Sequence, residues 1–415
     1  MTAREAALAA LTSWRKSAAW SDMTFRKSLD GMAQSERALA TRLGYGVITY
    51  KITLDECVRR ASGIGLSRIE PTVLDILRLG AYQLLFMDRI PKSAAVNEAV
   101  RLTKKRNARS VSFVNAVLRK IAAWDGVPEF PEVWQNLSYP QWLAEELIKQ
   151  KGFAKAKAFL EDGNRPPPLC LQLPKGSDLM LEGARRHPEV PDCLLLDKSG
   201  DVTELDGFKE GKFLVADPGA RMVVECAAPK ENETVFDACA APGGKSVLLS
   251  WAGVKLTVGE IYSHRMAVLQ ETLAKYGVNG VQYREGSASR RDDSLVGAFD
   301  LVLADVPCSG LGVVRKKPDI RYKKREDAEA MPEIQKLIIA NLADYVKPGG
   351  RMVYATCTVF DAENEGVVEW FLERRPDFEP EPFELPIGKF DGQCAILPPE
   401  HEMDGFYMAR LRRKS

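Results

Sequence analysis

The chain has 415 residues, 45% of them hydrophobic, which is enough for two or three domains with full-sized cores. No apolar run reaches membrane-spanning length, the eight cysteines contain no C-x-x-C pair and there are three histidines, so a membrane span, a zinc site and a disulfide framework are all disfavoured. The net charge of +1 hides an asymmetry: residues 1–125 hold 21 Lys/Arg against 11 Asp/Glu, a basic front that predicts a polyanionic partner, with a well-solvated helical surface as the plainer alternative.

The N-terminus, Met1-Thr2-Ala3-Arg4-Glu5, is charged at once and lacks a signal-peptide pattern, so a soluble cytoplasmic protein with free thiols is expected. Residues 1–125 read as helical. Val73, Ile76, Leu77, Gly80, Ala81 and Leu84 mark one helix face starting near Pro71. Phe113, Val114, Val117, Leu118 and Ile121 mark another, which stops before Asp125-Gly126. Between them Ser93 reads as the N-cap of a helix running to about Leu102. It leads into Arg101, Lys104, Lys105, Arg106 and Arg109, a cluster suited to phosphate contacts or to a solvated helix end.

Residues 126–215 contain Pro128, Pro131, Pro140 and the run Pro166 to Pro168. They read as a linker, a helical segment from Trp142 to about Leu160, and a small mixed subdomain with a turn at Ser199-Gly200-Asp201. From residue 216 onwards strands alternate with helices. Strands are expected at 234–236, 256–258, 281–283, 299–304 and 351–355. Helices are expected from about Lys245, from a cap at Ser263, from about Pro332 to Val346 and from about Ala362 to Arg374. Segments near 395–397 and 405–411 suit a terminal hairpin. This alternation implies a doubly wound α/β sheet.

The strand at 234–236 runs into Asp237-Ala-Cys-Ala-Ala-Pro242-Gly243-Gly244-Lys245-Ser246, a glycine turn opening a helix, where backbone approaches a ligand closely. A P-loop needs a glycine where Cys239 stands, and no G-x-G-x-x-G is present. Asp237 would also repel a pyrophosphate. S-adenosylmethionine carries a sulfonium cation and no phosphate, so it tolerates these acids, and Glu260 at the next strand end can accept hydrogen bonds from a ribose diol. Two later strand ends each carry a cysteine, Asp305-Val-Pro-Cys308-Ser-Gly and Thr356-Cys357-Thr358. If the substrate is a cytosine, its C5 is a poor nucleophile until a thiolate adds to C6. The adduct must then lose its C5 proton to a base, and charge around N3 and N4 must be stabilised. Cys357, Cys308 and Asp305 supply that set. A thiol with an ordinary pKa near ~8.5 needs a positive or hydrogen-bonding neighbour to ionise, and Lys245 is the candidate for that role or for a contact to the base edge.

Two resemblances sharpen the reading. The segments Ile76 to Leu85, Ile90-Pro91, Ala95 to Val100 and Phe113 to Arg119 resemble a NusB-type helical RNA-binding domain over nearly all of residues 1–125. The motifs Asp237 to Lys245, Asp305 to Tyr322, Tyr354 to Thr358, Glu363-Asn364-Glu365 and Asp404 to Leu411 resemble the Sun/Fmu-type RNA (cytosine-5) methyltransferases. Together they imply an α/β protein in three parts: an all-helical NusB-like domain (1–125), a linker and small mixed RNA-binding subdomain (126–215), and a Rossmann-like class I methyltransferase domain (216–415). The resemblance implies that Cys357 is the nucleophile and that Cys308 assists release. It implies that Cys239, Ala240, Ala241, Pro242, Gly243, Gly244 and Lys245, with Glu260 and Asp305, line the cofactor and base pocket. The segment from Arg315 to Tyr322 would lie near the RNA. S-adenosyl-L-methionine is the implied cofactor and 16S rRNA the implied partner, with no metal, no membrane and a monomeric state expected. Methylation of tRNA or another rRNA site, or a non-catalytic RNA-binding assembly factor, are the alternatives.

Three positions depart from the family pattern. After the third strand Gly286-Ser287-Ala288 offers a hydroxyl, Ser287, where an acid usually meets the adenine amino group. Glu260 stands where Asp is commoner. Leu171-Gln172-Leu173-Pro174 replaces an Arg and an Asn often found in the middle subdomain.

Overall fold

The computed structural model describes residues 1–16, 25, 28–197 and 200–415. They form two compact units, one of residues 1–164 with 317–322, the other of 165–316 with 323–415. The divisions expected at 125 and 215 do not coincide with this boundary. Residues 126–164 belong to the helical unit, because Tyr139, Leu143, Leu147 and Phe159 are buried and the Ser138 hydroxyl accepts from the Ile52 amide at 3.0 Å.

The first unit comprises helices α1 (Ala3–Lys16), α2 (Gln34–Thr49), α3 (Lys51–Ser62), α4 (Pro71–Phe86), α5 (Lys92–Arg106), α6 (Val111–Ala122), α7 (Val133–Leu137), α8 (Gln141–Lys151) and α9 (Phe153–Asp162). Helix α4 is its centre. Pro71 occupies the first turn, where its missing N–H costs nothing, and the Glu70 carboxylate accepts from the amides of Thr72 and Val73. The helix is buried from Val73 to Gln83, so Arg78 needs partners inside: it bonds Asp55 at 2.7 and 2.9 Å and Asp75 at 3.0 Å. A Cβ on Gly80 would lie 2.6 Å from Leu118 of α6, so glycine permits this close helix crossing.

Three local expectations change. Helix α5 starts at Lys92 with Pro91 as its cap, so Ser93 lies inside the helix, and the helix runs on to Arg106 because no breaker intervenes. The single helix expected from Trp142 to Leu160 is two helices, α8 and α9, broken at Gly152, whose φ of 77° leaves the helical region. The turn expected at 199–201 falls partly outside the described residues.

The second unit opens with a four-stranded antiparallel sheet of β1 (Leu169–Gln172), β2 (Arg185–Arg186), β3 (Cys193–Leu196) and β4 (Leu214–Val215), in the order β2-β3-β1-β4. Leu171, Leu173, Leu194 and Phe213 form its core, and Gln172 turns inward to donate to the Ala216 carbonyl. Helix α10 (Pro218–Ala227) leads to the larger sheet: β5 (Thr234–Asp237), β6 (Lys255–Glu260), β7 (Gln282–Glu285), β8 (Phe299–Asp305), β9 (Val346–Thr356), β10 (Phe378–Pro380), β13 (Gln393–Ile396) and β14 (Phe406–Arg413), with β11 (Phe383–Leu385) and β12 (Gly388–Phe390) a separate hairpin. The order is β10-β14-β9-β8-β5-β6-β7, with β13 beside β14. Strands β5 to β9 are parallel, and β14 returns antiparallel to β9. The near-continuous apolar runs of β8 and β9 fit strands covered on both faces. Residues of α10, α11 (Gly244–Ser250) and α12 (Ser263–Lys275) share one apolar cluster with Leu301, Leu303, Val353 and Ala355, and those of α14 (Met331–Ala343) and α15 (Glu365–Arg374) share another with Val302, Ala304, Met352 and Tyr354, while the short α13 (Arg325–Glu329) precedes α14. Ser263 begins α12 itself instead of capping it, and its hydroxyl donates to Glu285 at 2.6 Å. Among the described residues no helix is long and apolar enough to cross a membrane, and no group of His, Cys, Asp and Glu is arranged to hold a metal.

Candidate active site

The site lies beyond the carboxyl ends of β5, β6, β8 and β9, where parallel sheets of this kind bind ligands. Register places Asp305 opposite Ala355, and the Val306 amide still donates to the Ala355 carbonyl at 3.0 Å, so both chains leave the sheet side by side. The consequence is that Cys308 Sγ and Cys357 Sγ lie 3.4 Å apart, both partly exposed. The hydrogen bond with Cys357, then burial, push the Cys308 thiol well above its usual range. The backbone around Cys357 is clasped. The Gly312 amide donates to the Cys357 carbonyl at 2.9 Å, and the Gly405 amide donates to the Gly312 carbonyl at 2.9 Å. A Cβ on Gly312 would lie 2.1 Å from the Gly405 oxygen and 2.8 Å from the Cys357 oxygen, so this approach requires glycine.

Beside the sulfurs, Lys245 Nζ donates to Asp305 Oδ2 at 2.7 Å and sits 5.4 Å from the centre of the Phe406 ring. Burial alone would lower the lysine, but the charge and hydrogen bond of Asp305 and the nearness of Cys357 and Asp237 raise it, so the ammonium is held charged. Asp305 keeps about a quarter of its side chain exposed.

The glycine turn is built as a cradle. Gly243 has φ 111°, and the Ala241–Pro242 peptide is cis. The Ala240 amide donates to the Gly259 carbonyl at 2.9 Å, and Arg265 donates to the Ala241 carbonyl at 2.9 Å. Ala240 and Ala241 are buried, and burial next to Asp237 raises the Cys239 thiol. Beneath the turn, Asp237 accepts from Ser246 Oγ at 2.6 Å through one carboxylate oxygen, while the other is buried without a partner. Burial, opposed by that hydrogen bond, pushes the Asp237 carboxyl up to about 7. Glu260 is buried; one oxygen accepts from the Ile261 and Tyr262 amides, and the other lies 3.5 Å from Arg265. Ser287 is half-buried and its hydroxyl pairs with that of Ser289 at 2.8 Å. Gly244 and Gly286 each face open space.

The structure thus gathers Cys239, Ala240, Ala241, Pro242, Gly243, Gly244, Lys245, Glu260, Ser287, Asp305, Cys308 and Cys357 on the loops of one sheet edge. Of the segment after Arg315, Lys317 stands exposed and Lys316 partly so, but the stretch that follows is closed to a ligand. Pro318, Asp319, Ile320 and Arg321 are buried. Arg321 is wholly enclosed: it donates to the carbonyls of Thr49, Ser138 and Gly163 and to Asn164 Oδ1, with Tyr139 under its guanidinium at 4.1 Å. Its charge is used inside the helical unit and is not presented to RNA. Of the basic cluster at the end of α5 and in the turn after it, Arg101 and Lys105 pair with Glu98 and Glu5, while Lys104, Arg106 and Arg109 stand exposed. The sequence reading gave no partner to Asp237 and no role to Gln335 or Gly312. Asp237 meets Ser246 nine residues on, within the motif it opens, whereas Gln335 reaches Pro307 and Glu363 and Gly312 reaches Cys357 and Gly405, contacts that local pattern does not announce.

A parallel sheet with the β5 glycine turn, an acid closing β6 and an antiparallel β14 inserted beside β9 defines a Rossmann-like methyltransferase fold. Residues 224–412 match the family model "16S rRNA methyltransferase RsmB/F", and residues 1–123 match the NusB family. The chain is 32% identical over 444 residues to a probable ribosomal RNA small subunit methyltransferase B of Bacillus subtilis, spanning 99% of this chain and 98% of that protein. It is 32% identical over 445 residues to the protein of the same description in Synechocystis, spanning all of both. The solved structure of PH0851 shares the fold with a TM-score of 0.83 at 23% identity, over 99% of this chain and 98% of that one. The chain belongs to the RsmB/F family of 16S rRNA methyltransferases, with a NusB-family region at its front.

Proposed function

We propose that the protein transfers a methyl group from S-adenosyl-L-methionine to C5 of a cytosine in 16S rRNA, through a covalent bond between Cys357 Sγ and C6 of the base. The observation that carries this is the 3.4 Å pairing of two thiols next to the Asp305–Lys245 ion pair. Two adjacent sulfurs suit a reaction that must both make and break a bond at the same ring. Family membership supports the donor and the rRNA substrate.

Cys357 adds to C6 and makes C5 electron-rich. Asp305 is partly exposed and can accept from the N4 amino group, while Lys245 holds its carboxylate in place and supplies positive charge to the electron-rich ring. While Cys357 is anionic, Cys308 stays a thiol, because its hydrogen bond to that sulfur is the main cause of its raised pKa. Once the Cys357 sulfur is bonded to carbon, this cause disappears. Cys308 then ionises more readily, its proton passing to the solvent that reaches this partly exposed thiol, and the thiolate takes the C5 proton; the C5–H electron pair restores the C5–C6 double bond as the Cys357–C6 pair returns to sulfur. The target nucleotide must leave its stack for the thiol to reach it.

The residues present fit the donor. The unpartnered Asp237 oxygen, the open space at Gly244 and Gly286, and the acidic strand ends suit a cationic ligand that has a ribose and lacks phosphate. Residues 239–245, Glu260, Ser287 and Asp305 would hold it, and when bound it supplies an electrophilic methyl group. The exposed Lys104, Arg106 and Arg109 suit contacts to the rRNA backbone. Labelled S-adenosylmethionine incubated with 16S rRNA, followed by nucleoside chromatography, tests the reading. Label in 5-methylcytidine, lost in Cys357→Ala, is expected; label in another nucleoside, or transfer that survives Cys357→Ala, overturns it.

A further inference from the structure

A buried carboxylate lies behind the two sulfurs, outside the reacting set. Glu363 is 1% exposed and ends the short turn Asp361–Glu363 that follows β9. One of its oxygens accepts from the Ser309 amide at 2.8 Å and from Gln335 Nε2 at 2.9 Å. The other accepts from the Thr358 hydroxyl at 3.2 Å. The donors are neutral groups, so the charge is held by oriented dipoles. A carboxylate buried in this way is costly to keep unless its hydrogen bonds are complete.

Where those donors sit is informative. Ser309 follows Cys308, and Thr358 follows Cys357. Their hydroxyls also bond each other at 2.6 Å. Gln335, from α14, donates to the carbonyl of Pro307 at 3.1 Å, on the other side of Cys308. The Glu363 carbonyl accepts from the Tyr354 hydroxyl at 2.5 Å, and Asn364 accepts from Thr356, the residue before Cys357, at 2.6 Å. Residues on both sides of both cysteines are therefore tied to Glu363 or its immediate partners.

We propose that Glu363 is a positioning residue that sets the spacing between Cys308 and Cys357. This rests on the cytosine-5 transfer reading for its effect on turnover, but the spacing itself is measurable without any RNA. Glutamine at 363 preserves the shape and replaces one acceptor oxygen with a donor, which then opposes Ser309 N–H, Gln335 or Thr358. The ruler is disulfide formation under diamide, which takes up the two thiol hydrogens as the sulfurs bond; tryptic mapping without reductant identifies the 308–357 pair.

Parent protein is expected to form this bond readily, and Glu363→Gln about tenfold more slowly. In the same variant kcat for methyl transfer falls about 100-fold, the order expected for a displacement of about 1 Å, while KM for RNA and for S-adenosylmethionine stays within about twofold. Gln335→Leu, which removes one donor and leaves the carboxylate, gives a smaller change in the same direction and serves if Glu363→Gln does not fold. A folded Glu363→Gln that cross-links and turns over at the parent rate overturns the proposal, as does a parent in which the 308–357 disulfide does not form. A changed cross-linking rate in a protein without methyltransferase activity would retain the positioning role and refute the reaction instead.

Discussion

Asp237 makes the stability of the catalytic unit depend on pH in a direction opposite to that of an ordinary ion-paired carboxylate. Burial holds its folded-state carboxyl at about 7, against an ordinary value of 3.8. As pH rises from about 4 to about 7, the unfolded chain sheds this proton while the folded chain retains it. Stability is therefore lost across that window and changes no further above it. A difference of about three pH units corresponds to roughly 4 kcal/mol, an upper bound because burial of a single group is rarely complete in solution. Asp237→Asn removes the titration and keeps an acceptor for Ser246 Oγ. The variant is expected to gain roughly 2–4 kcal/mol on the parent at pH 8 and only about 1 kcal/mol at pH 4.5. Urea titration of the full-length chain, with hydrogen exchange followed at the β5 amides, measures both. A parent–variant difference that is the same at the two pH values would refute the reasoning, since the carboxylate would then be ionised throughout.

Other consequences follow from single contacts. Gly312→Ala drives a Cβ against two backbone oxygens, so the Cys357 loop must shift; methyl transfer should fall at least ~100-fold in steady-state assays with little change in RNA binding. Lys245→Met leaves Asp305 without its 2.7 Å partner and should lower kcat by about 10²–10³, as loss of a charge-stabilising donor does, which single-turnover rates would show. Arg321→Leu abandons four acceptors inside the helical unit and should destabilise that unit by about 3–5 kcal/mol, seen as loss of hydrogen-exchange protection at the end of α2; Arg321→Lys should recover only part, because an ammonium cannot span the same fork.

The parts legible in the sequence were those written in local pattern. The apolar runs of β8 and β9 ended where their acids and cysteines suggested, and the terminal hairpin of β13 and β14 appeared at the residues with strand character. Because two parallel neighbours deliver their next residues to the same edge, the meeting of Cys308 and Cys357 could be anticipated from two strand ends. What escaped were effects decided by distant partners. Residues 126–141 look like a proline-punctuated linker, and only the burial of Phe130 and Tyr139 shows them to contribute to a core. Arg321 looks like a surface cation for RNA, and its four acceptors come from α2 and from the segments around α7 to α9. Ser263 has the composition of a cap, yet its hydroxyl serves Glu285 across the strand ends. Gly152 could have signalled the break between α8 and α9, since a glycine amid good helix formers is a weak point whose φ is free.

The reaction proposed for this site divides its labour between two sulfurs that lie 3.4 Å apart. The direct measurement is denaturing electrophoresis and peptide mapping of Cys308→Ala after incubation with 16S rRNA and S-adenosylmethionine. The predicted result is an RNA–protein band that survives denaturation, carries its nucleotide on the peptide containing Cys357, and vanishes in the Cys308→Ala/Cys357→Ala double variant. Absence of that band with an active parent enzyme, or attachment at any residue other than Cys357, would contradict it.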